Sequence, residues 1–299
     1  MGIYFEKEKL KEKLDMHMGI NRNNSTINLL NRGLRANTYV YRIDDKEFLI
    51  KKNSTFQNTI QYEYMVMKQL QSEYFMPKIY GIMNETILIE EYIHSSPFCL
   101  SRDYGELANT LSDLHTINRG KDGFKVYKNC VVELCKQMEE LFSILRGMSN
   151  YNEKLIICIN EKMNKLIEYN KTINFKDYSV IHNDLHSANI LKCKDGCRLI
   201  DWEQSKLSNY EWDLAHAISY TTAMWTNEKA ISNSVKRNFI RKYCENRNIH
   251  DVEECIDRVF FIEKYVELRC ILWVLVNHRI IKDKLKIKLY ERRVWELKV

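Results

Sequence analysis

Two short segments bring together side chains that could do chemistry. The first is His182-Asn183-Asp184-Leu185-His186-Ser187-Ala188-Asn189-Ile190-Leu191, and the second is Leu199-Ile200-Asp201-Trp202-Glu203. Asp184 and Asn189 stand five residues apart in a loop between strand-like runs. A turn at Asp195-Gly196 folds the second run back, and such a hairpin can bring Asp201 beside Asn189. One carboxylate oxygen and one amide oxygen are hard donors suited to Mg²⁺. That ion keeps part of its water shell and shares phosphate oxygens, so two protein ligands suffice. Asp184 is then left to accept a proton from an attacking hydroxyl. One carboxylate for the base and one for the metal is the division of labour that phosphoryl transfer needs.

A matching half lies upstream. Phe48-Leu49-Ile50-Lys51 is an apolar strand ending in lysine, and Lys51 could reach the α- and β-phosphates of a nucleotide. Glu63 follows twelve residues later on a helical stretch and could pair with it. Lys52 competes for the same role. The order of Asp184, Asn189 and Asp201 downstream favours Lys51. His182 and His186 straddle Asp184, a pattern also compatible with a metal-dependent hydrolase. The other histidines are isolated, so His182 is expected to make a structural hydrogen bond and His115 to be packed in a core.

The elements that must position these residues divide by type. The runs Thr26–Leu30, Thr38–Ile43, Glu47–Lys52 and Thr86–Glu90 are β-branched or aromatic and predict strands. Asp44-Asp45-Lys46 is a tight turn, which makes Thr38–Lys52 a hairpin. A helix is expected at about Thr59–Gln71, where Ile60, Tyr64, Met67 and Leu70 follow a helical period. After Glu91 the pattern turns helical over 101–117, 128–146 and 152–170. Strand signals return briefly at 179–182, 190–193 and 197–200, and from Trp212 onward the pattern is helical. The expected division is an N-terminal lobe over 1–91 with a helix, an antiparallel sheet and one further helix. A hinge over 92–95 and a helical lobe over 96–299 follow, with the ligand site in the cleft between lobes. The fold class is α+β.

Composition agrees with a packed chain. Of 299 residues 45% are apolar and 29% charged, which excludes a disordered chain. No run of about 18 apolar residues occurs, so no membrane span is expected. The first twenty residues alternate Glu and Lys and lack the apolar core of a secretory signal. The nine cysteines are scattered and odd in number, and a cytoplasmic location is the expectation. The net charge is +6, yet residues 281–299 carry seven Lys/Arg against three Asp/Glu, or +4, leaving +2 for the rest. That basic end is expected to be a solvated helix face, with a nucleic-acid or anionic-membrane patch as the alternative. No nucleic-acid motif accompanies it, and no nucleic-acid partner is expected.

The ordered set Lys51, Glu63, Asp184, Asn189, Asp201 resembles the aminoglycoside phosphotransferase and choline kinase superfamily, which shares the bilobal protein-kinase-like fold. The strongest match runs over 180–219, with weaker similarity over 31–93 and 107–118. The resemblance implies Asp184 as catalytic base, Asn189 and Asp201 as magnesium ligands, and Lys51 with Glu63 as the phosphate-positioning pair. It implies that the Glu91 carbonyl and the Ile93 N–H hold the adenine edge, and that the loop from Gly33 to Thr38 covers the phosphates. Asp213, in Trp212-Asp213-Leu214-Ala215, would brace the catalytic loop. The phosphate loop departs from a full G-x-G-x-x-G, having Gly33 alone. Many aminoglycoside enzymes have Gly where this chain has Asn183, so the motif is closer to choline or ethanolamine kinases.

These features predict a phosphotransferase moving the γ-phosphoryl of Mg·ATP, with GTP as an open alternative, to a hydroxyl of a small cationic, amine-bearing acceptor. An aminoglycoside is the first expectation, which would make the enzyme antibiotic-modifying, and choline or ethanolamine the second. A non-catalytic nucleotide-binding module is the reading from another class. Glu203, Tyr210, Trp212, Glu263, Glu267 and Trp273 are candidate acceptor residues, through aromatic faces or charge. Against that role, most of these glutamates are expected to be solvated helix charges.

Overall fold

The computed structural model describes residues 2–20, 24–33, 35–55, 59–118, 122–169, 175 and 178–299. Two compact units result: 1–95 together with 198–203, and 96–197 together with 204–299.

The first unit opens with helix α1 (Gly2–Met18) and continues through β1 (Ser25–Arg32), β2 (Ala36–Ile43), β3 (Lys46–Asn53), α2 (Ile60–Leu70), β4 (Ile79–Met83) and β5 (Ile87–Glu91). The strands form an antiparallel sheet in the order β1-β2-β3-β5-β4. Alternation sends successive side chains to opposite faces. Tyr39, Tyr41, Phe48, Ile50, Ile87 and Ile89 cluster on one face with Leu10 and Leu14 of α1. Lys51, one residue beyond Ile50, therefore projects from the other face, towards α2. Asp15 pins α1 by accepting from Tyr41 Oη at 2.5 Å and from the Ser25 hydroxyl.

Strand β4 escapes the sequence pattern because Gly81 interrupts it and its pairing with β5 is irregular between Ile79 and Gly81. An edge position tolerates that break. The segment 198–203, expected within the helical lobe, packs in the first unit instead. Leu199 N donates to Phe75 O at 2.9 Å, and the buried Trp202 ring stacks on Phe75 at 6.2 Å.

The second unit contains helices α3 (Leu100–Thr116), α4 (Cys130–Arg146) and α5 (Glu153–Tyr169), then the short strands β6 (Ser179–Ile181), β7 (Ile190–Cys193) and β8 (Gly196–Leu199), whose last two residues run into the first unit. Strand β9 (Lys206–Ser208) pairs with β6 and is too short to show a period in sequence. Helices α6 (Glu211–Ile218), α7 (Tyr220–Trp225), α8 (Asn233–Asn246), α9 (Val252–Val276), α10 (His278–Ile281) and α11 (Lys284–Glu296) complete it. The core runs along α9, where Ile256, Val259, Ile262, Leu268 and Leu272 are buried. Among the described residues no helix is long and apolar enough to cross a membrane.

Candidate active site

In the first unit three predicted residues meet. Lys51 Nζ lies 2.7 Å from Glu63 Oε2 and also donates to Asp201 Oδ1. Lys52, the competitor, points to the α1 side and lines a surface pocket with Lys9 and Lys13. Glu63 is buried on α2, and its other oxygen accepts from Trp202 N at 3.1 Å. Burial alone would push the Lys51 ammonium down; the carboxylates of Asp201, Glu63 and Glu203 outweigh it and hold the lysine charged. Burial pushes the Glu63 carboxyl up to about 7 against the pull of Lys51. Glu90, which the sequence reading passed over, is 4% exposed on β5 and is pushed up to about 8 by burial and by Glu63. Its signal in sequence was a charged residue in the inward register of an otherwise apolar strand.

Asp201 adopts φ 68°, a left-handed conformation that carries a cost for any residue other than glycine. Glu203 is fully engaged: Arg35 Nη1 donates to one oxygen at 2.6 Å and Thr59 Oγ1 to the other at 2.6 Å. Gly33 closes its turn by donating to Ala36 O at 2.9 Å, and a Cβ there would stand 2.5 Å from that same oxygen. Leu34, within the same loop, lies outside the described residues. Glu91 ends β5, where its carboxylate accepts from Lys78 N at 3.0 Å, and Ile93 lies two residues on, beyond the strand.

In the second unit Asp184 and Asn189 meet. Asn189 Nδ2 donates to Asp184 O at 2.9 Å and faces Asp184 Oδ2 at 3.4 Å. This fixes the amide with its nitrogen on the loop and turns Asn189 Oδ1 away from it. The Asp184 carboxylate is 31% exposed, with His186 Nε2 3.9 Å away. The turn before it is made by Asn183 at φ 65°, a left-handed conformation that asparagine tolerates better than most side chains. Asp213 is fully buried and accepts from His182 N and Asn183 N, both at 2.7 Å, so one carboxylate holds the two residues that lead into Asp184. His115 bridges Asp213 Oδ2 at 3.2 Å and Tyr243 Oη at 2.9 Å. His182 Nδ1 accepts from Asp184 N at 3.3 Å. His216, one turn after Asp213, was not singled out; burial pushes its imidazole down to about 4, so it stays neutral near Asp184.

The acceptor candidates are mostly committed within the protein. Glu263 pairs with Lys236, and Glu267 accepts from Tyr220 N at 3.0 Å and Arg293 at 2.7 Å. Both are buried or half-buried ion pairs rather than solvated charges, which corrects the expectation. The reason is that α9 is enclosed by neighbouring helices instead of presenting a wet face. Trp212 is buried with Lys206 Nζ 4.5 Å over its ring, and Tyr210 lies against His115 and Tyr243. Trp273 meets Trp225 edge-on at 5.7 Å and remains half-buried.

Each unit carries a hard donor of the kind Mg²⁺ takes. In the first, Asp201 presents a carboxylate, and around Lys51 the carboxylates of Glu63, Glu90 and Asp201 outnumber the one ammonium; in the second, Asn189 presents an amide oxygen. Among the described residues no cluster of three His, Cys, Asp or Glu forms a closed metal cage. Mg²⁺, which fills its octahedron with water and phosphate oxygens, does not require one.

Removing the buried cation gives a first test. Lys51→Met should lower kcat/KM for ATP by about 10- to 100-fold, the loss expected for charge-assisted hydrogen bonds. It should also lower the melting temperature by leaving Glu63 buried without a counter-charge. Adding Glu63→Gln should restore much of the melting temperature and none of the activity, as steady-state kinetics and thermal melts would report.

The sequence pattern of choline/ethanolamine kinases matches residues 27–294. A LicA homologue of Metamycoplasma hominis is 27% identical over 213 residues, 64% of this chain and 79% of that protein. Choline kinase from Cryptosporidium parvum superposes with a TM-score of 0.72 at 18% identity, over 93% of this chain and 91% of that one. The ADP-bound aminoglycoside phosphotransferase APH(2'')-Ib superposes with a TM-score of 0.67 at 14% identity, over 97% of each chain. The two superpositions establish the protein-kinase-like fold. With the pattern spanning most of its length, the chain belongs to the choline/ethanolamine kinase family, enzymes that transfer a phosphoryl group to a hydroxyl acceptor.

Proposed function

We propose that the protein transfers the γ-phosphoryl group of Mg·ATP to the hydroxyl of a small amino alcohol, choline or ethanolamine. The observation that carries this reading is the half-exposed Asp184 carboxylate, held in place through Asn189 and through the Asp213-braced turn. The family match supports the amino-alcohol acceptor over the aminoglycoside that the sequence resemblance placed first.

Asp184 orients the acceptor hydroxyl and takes its proton as the phosphorus–oxygen bond to the acceptor forms and the bond to ADP breaks. Lys51, fixed by Glu63, positions the nucleotide phosphates. The Glu91 carbonyl and Ile93 N–H hold the purine edge. Asn189 and Asp201 would hold the magnesium ion. When bound, the ion neutralises phosphate charge and aligns the phosphates. The chain's own contribution is positioning and fixed charge. Of the six acceptor candidates, Trp273 is the half-buried indole, and its ring is of the kind that attracts a quaternary or primary ammonium.

The test is a Mg·ATP-dependent assay with choline, ethanolamine and aminoglycosides, read by product mass. The expected result is one added phosphoryl group on choline or ethanolamine and kcat/KM at least about 10-fold lower for any aminoglycoside. Preferential phosphorylation of an aminoglycoside would overturn the acceptor assignment, and ATP turnover with none of the acceptors would overturn the reading as a small-molecule kinase.

A further inference from the structure

The basic C-terminal end plays no part in the chemistry above, and the structure makes it a defined surface. Asp283 caps α11 by accepting from Lys286 N at 3.0 Å. Tyr290 and Val294 bury its inner face, and Tyr290 Oη donates to Thr221 O at 2.5 Å. Arg293 is tied to Glu267 at 2.7 Å, and Lys286 turns inward onto the Trp225 ring and carbonyl. The helix is therefore preformed and held at a fixed rotation.

That rotation leaves an outer face of mixed character. Lys284, Lys288 and Arg292 recur every four residues along it. Leu285 and Leu289 run beside them, 71% and 43% exposed, and Trp295 is 55% exposed two turns on from Lys288. Ile280, just before the helix, is 57% exposed. Arg292 is paired with Glu296 at 2.7 Å. Among the described residues Lys282, Lys284 and Lys288 have no carboxylate within ion-pairing distance. These residues lie in the stretch that carries +4 of the chain's +6 charge.

We propose that the outer face of α11, with Ile280, docks the protein onto an anionic lipid bilayer. Uncompensated ammonium groups seek an anionic partner, and exposed Leu, Ile and Trp on the same face seek an apolar one. The headgroup region of an anionic membrane offers both at the same depth, and tryptophan is enriched there. A nucleic acid would satisfy the lysines while leaving Leu285 and Leu289 in water. A second copy related by a two-fold axis would set Lys284 and Lys288 against their like.

The test uses the full chain with extruded vesicles, in flotation or sedimentation at low and high salt. Vesicles of phosphatidylcholine with about one-third phosphatidylserine should bind it, and pure phosphatidylcholine should bind far less. Lys284→Gln with Lys288→Gln should weaken binding by about 25-fold, about fivefold per charge. Leu285→Ser with Trp295→Ser should weaken binding that persists at high salt. Both double variants should keep wild-type circular dichroism and kinase rates on a soluble acceptor, which separates this surface from the active site. Equal binding to both vesicle types would overturn the proposal, as would undiminished binding by the lysine variant. So would tighter binding to duplex DNA than to vesicles, or a dimer in solution abolished by the Leu285/Trp295 variant.

Discussion

Replacing Asp184 by alanine is expected to lower kcat by 10²- to 10⁴-fold, the range that loss of a positioned general base costs, while ATP binding survives. The argument starts from what holds the carboxylate and what does not. Its backbone carbonyl is tied to Asn189 Nδ2 and its backbone N–H to His182 Nδ1, so the main chain is fixed. The carboxylate itself makes one weak 3.4 Å contact and a 3.9 Å approach to His186, and it keeps 31% of its surface open. A carboxylate whose role was structural would resemble Asp213, with both oxygens spent on amides. Truncation at 184 therefore removes a reactive group and no buried support. Isothermal titration with an ATP analogue should give a Kd within about threefold of wild type, and the unfolding free energy should change by no more than about 0.5 kcal/mol, as is usual away from buried support. Asp201→Ala should behave in the opposite way. It removes a proposed metal ligand and a partner of Lys51, so binding of Mg·ATP itself should fail. Wild-type turnover by Asp184→Ala would remove the base assignment. Parallel losses of kcat and nucleotide affinity would move Asp184 among the metal ligands.

Much of this was legible in sequence because it depends on short spacings. Asp184 and Asn189 are joined by one 3₁₀ turn, Ser187–Asn189, so five residues of separation nearly dictate their contact. Strand alternation alone leaves Lys51 and Lys52 as alternatives, and only the order of the residues downstream favours Lys51; the structure puts Ile50 in the core built on α1, which sends Lys51 to the other face. What escaped depends on contacts made across long stretches of chain. Nothing in the order of residues says that Trp202 stacks on Phe75, and that packing is what carries Asp201 into the first unit. The glutamates of α9 illustrate the same gap. Glu263 and Glu267 have the spacing of a solvated helix face, yet Lys236 from α8 and Arg293 from α11 close over them. A helical period locates a face but not what covers it. Glu90 is the reverse case, a charge in a buried register that a binary pattern treats as an error.

Asp213→Asn should be the most destabilising single conservative change in the second unit. The native carboxylate accepts two backbone N–H groups at 2.7 Å and a histidine at 3.2 Å, with no exposure to water. An asparagine of the same shape offers one acceptor oxygen and one donor nitrogen. Whichever way the amide is turned, one buried N–H of His182 or Asn183 faces another donor. Leaving such a group unpaired and removing a hydrogen-bonded buried charge costs about 3 kcal/mol. For a chain of 299 residues, at about 2.1 cal/mol/K of unfolding entropy per residue, that corresponds to a fall in melting temperature of about 5 °C.

The pH dependence separates this bracing role from a merely packed residue. Burial would raise the Asp213 carboxyl, but hydrogen bonding to His115 and to the His182 amide outweighs it and holds the group below the ordinary aspartate value. A depressed carboxylate stabilises the fold fully above its unfolded pKa of about 3.9. That contribution is lost as pH falls through the lower folded value. His115 and His216 are also depressed by burial, and for them the unfolded chain takes up protons first, from about pH 6.5 downward. Wild-type stability should therefore fall in two stages on acidification, through the histidines below about pH 6.5 and through Asp213 below about pH 4. In Asp213→Asn the first stage should remain and the second should flatten, as melts between pH 3 and 8 would show. The variant's kcat should fall as well, because the Asn183 turn that aims Asp184 loses its anchor, while the ion pair of Lys51 and Glu63 is untouched. An unchanged acid limb would mean that another carboxylate governs it.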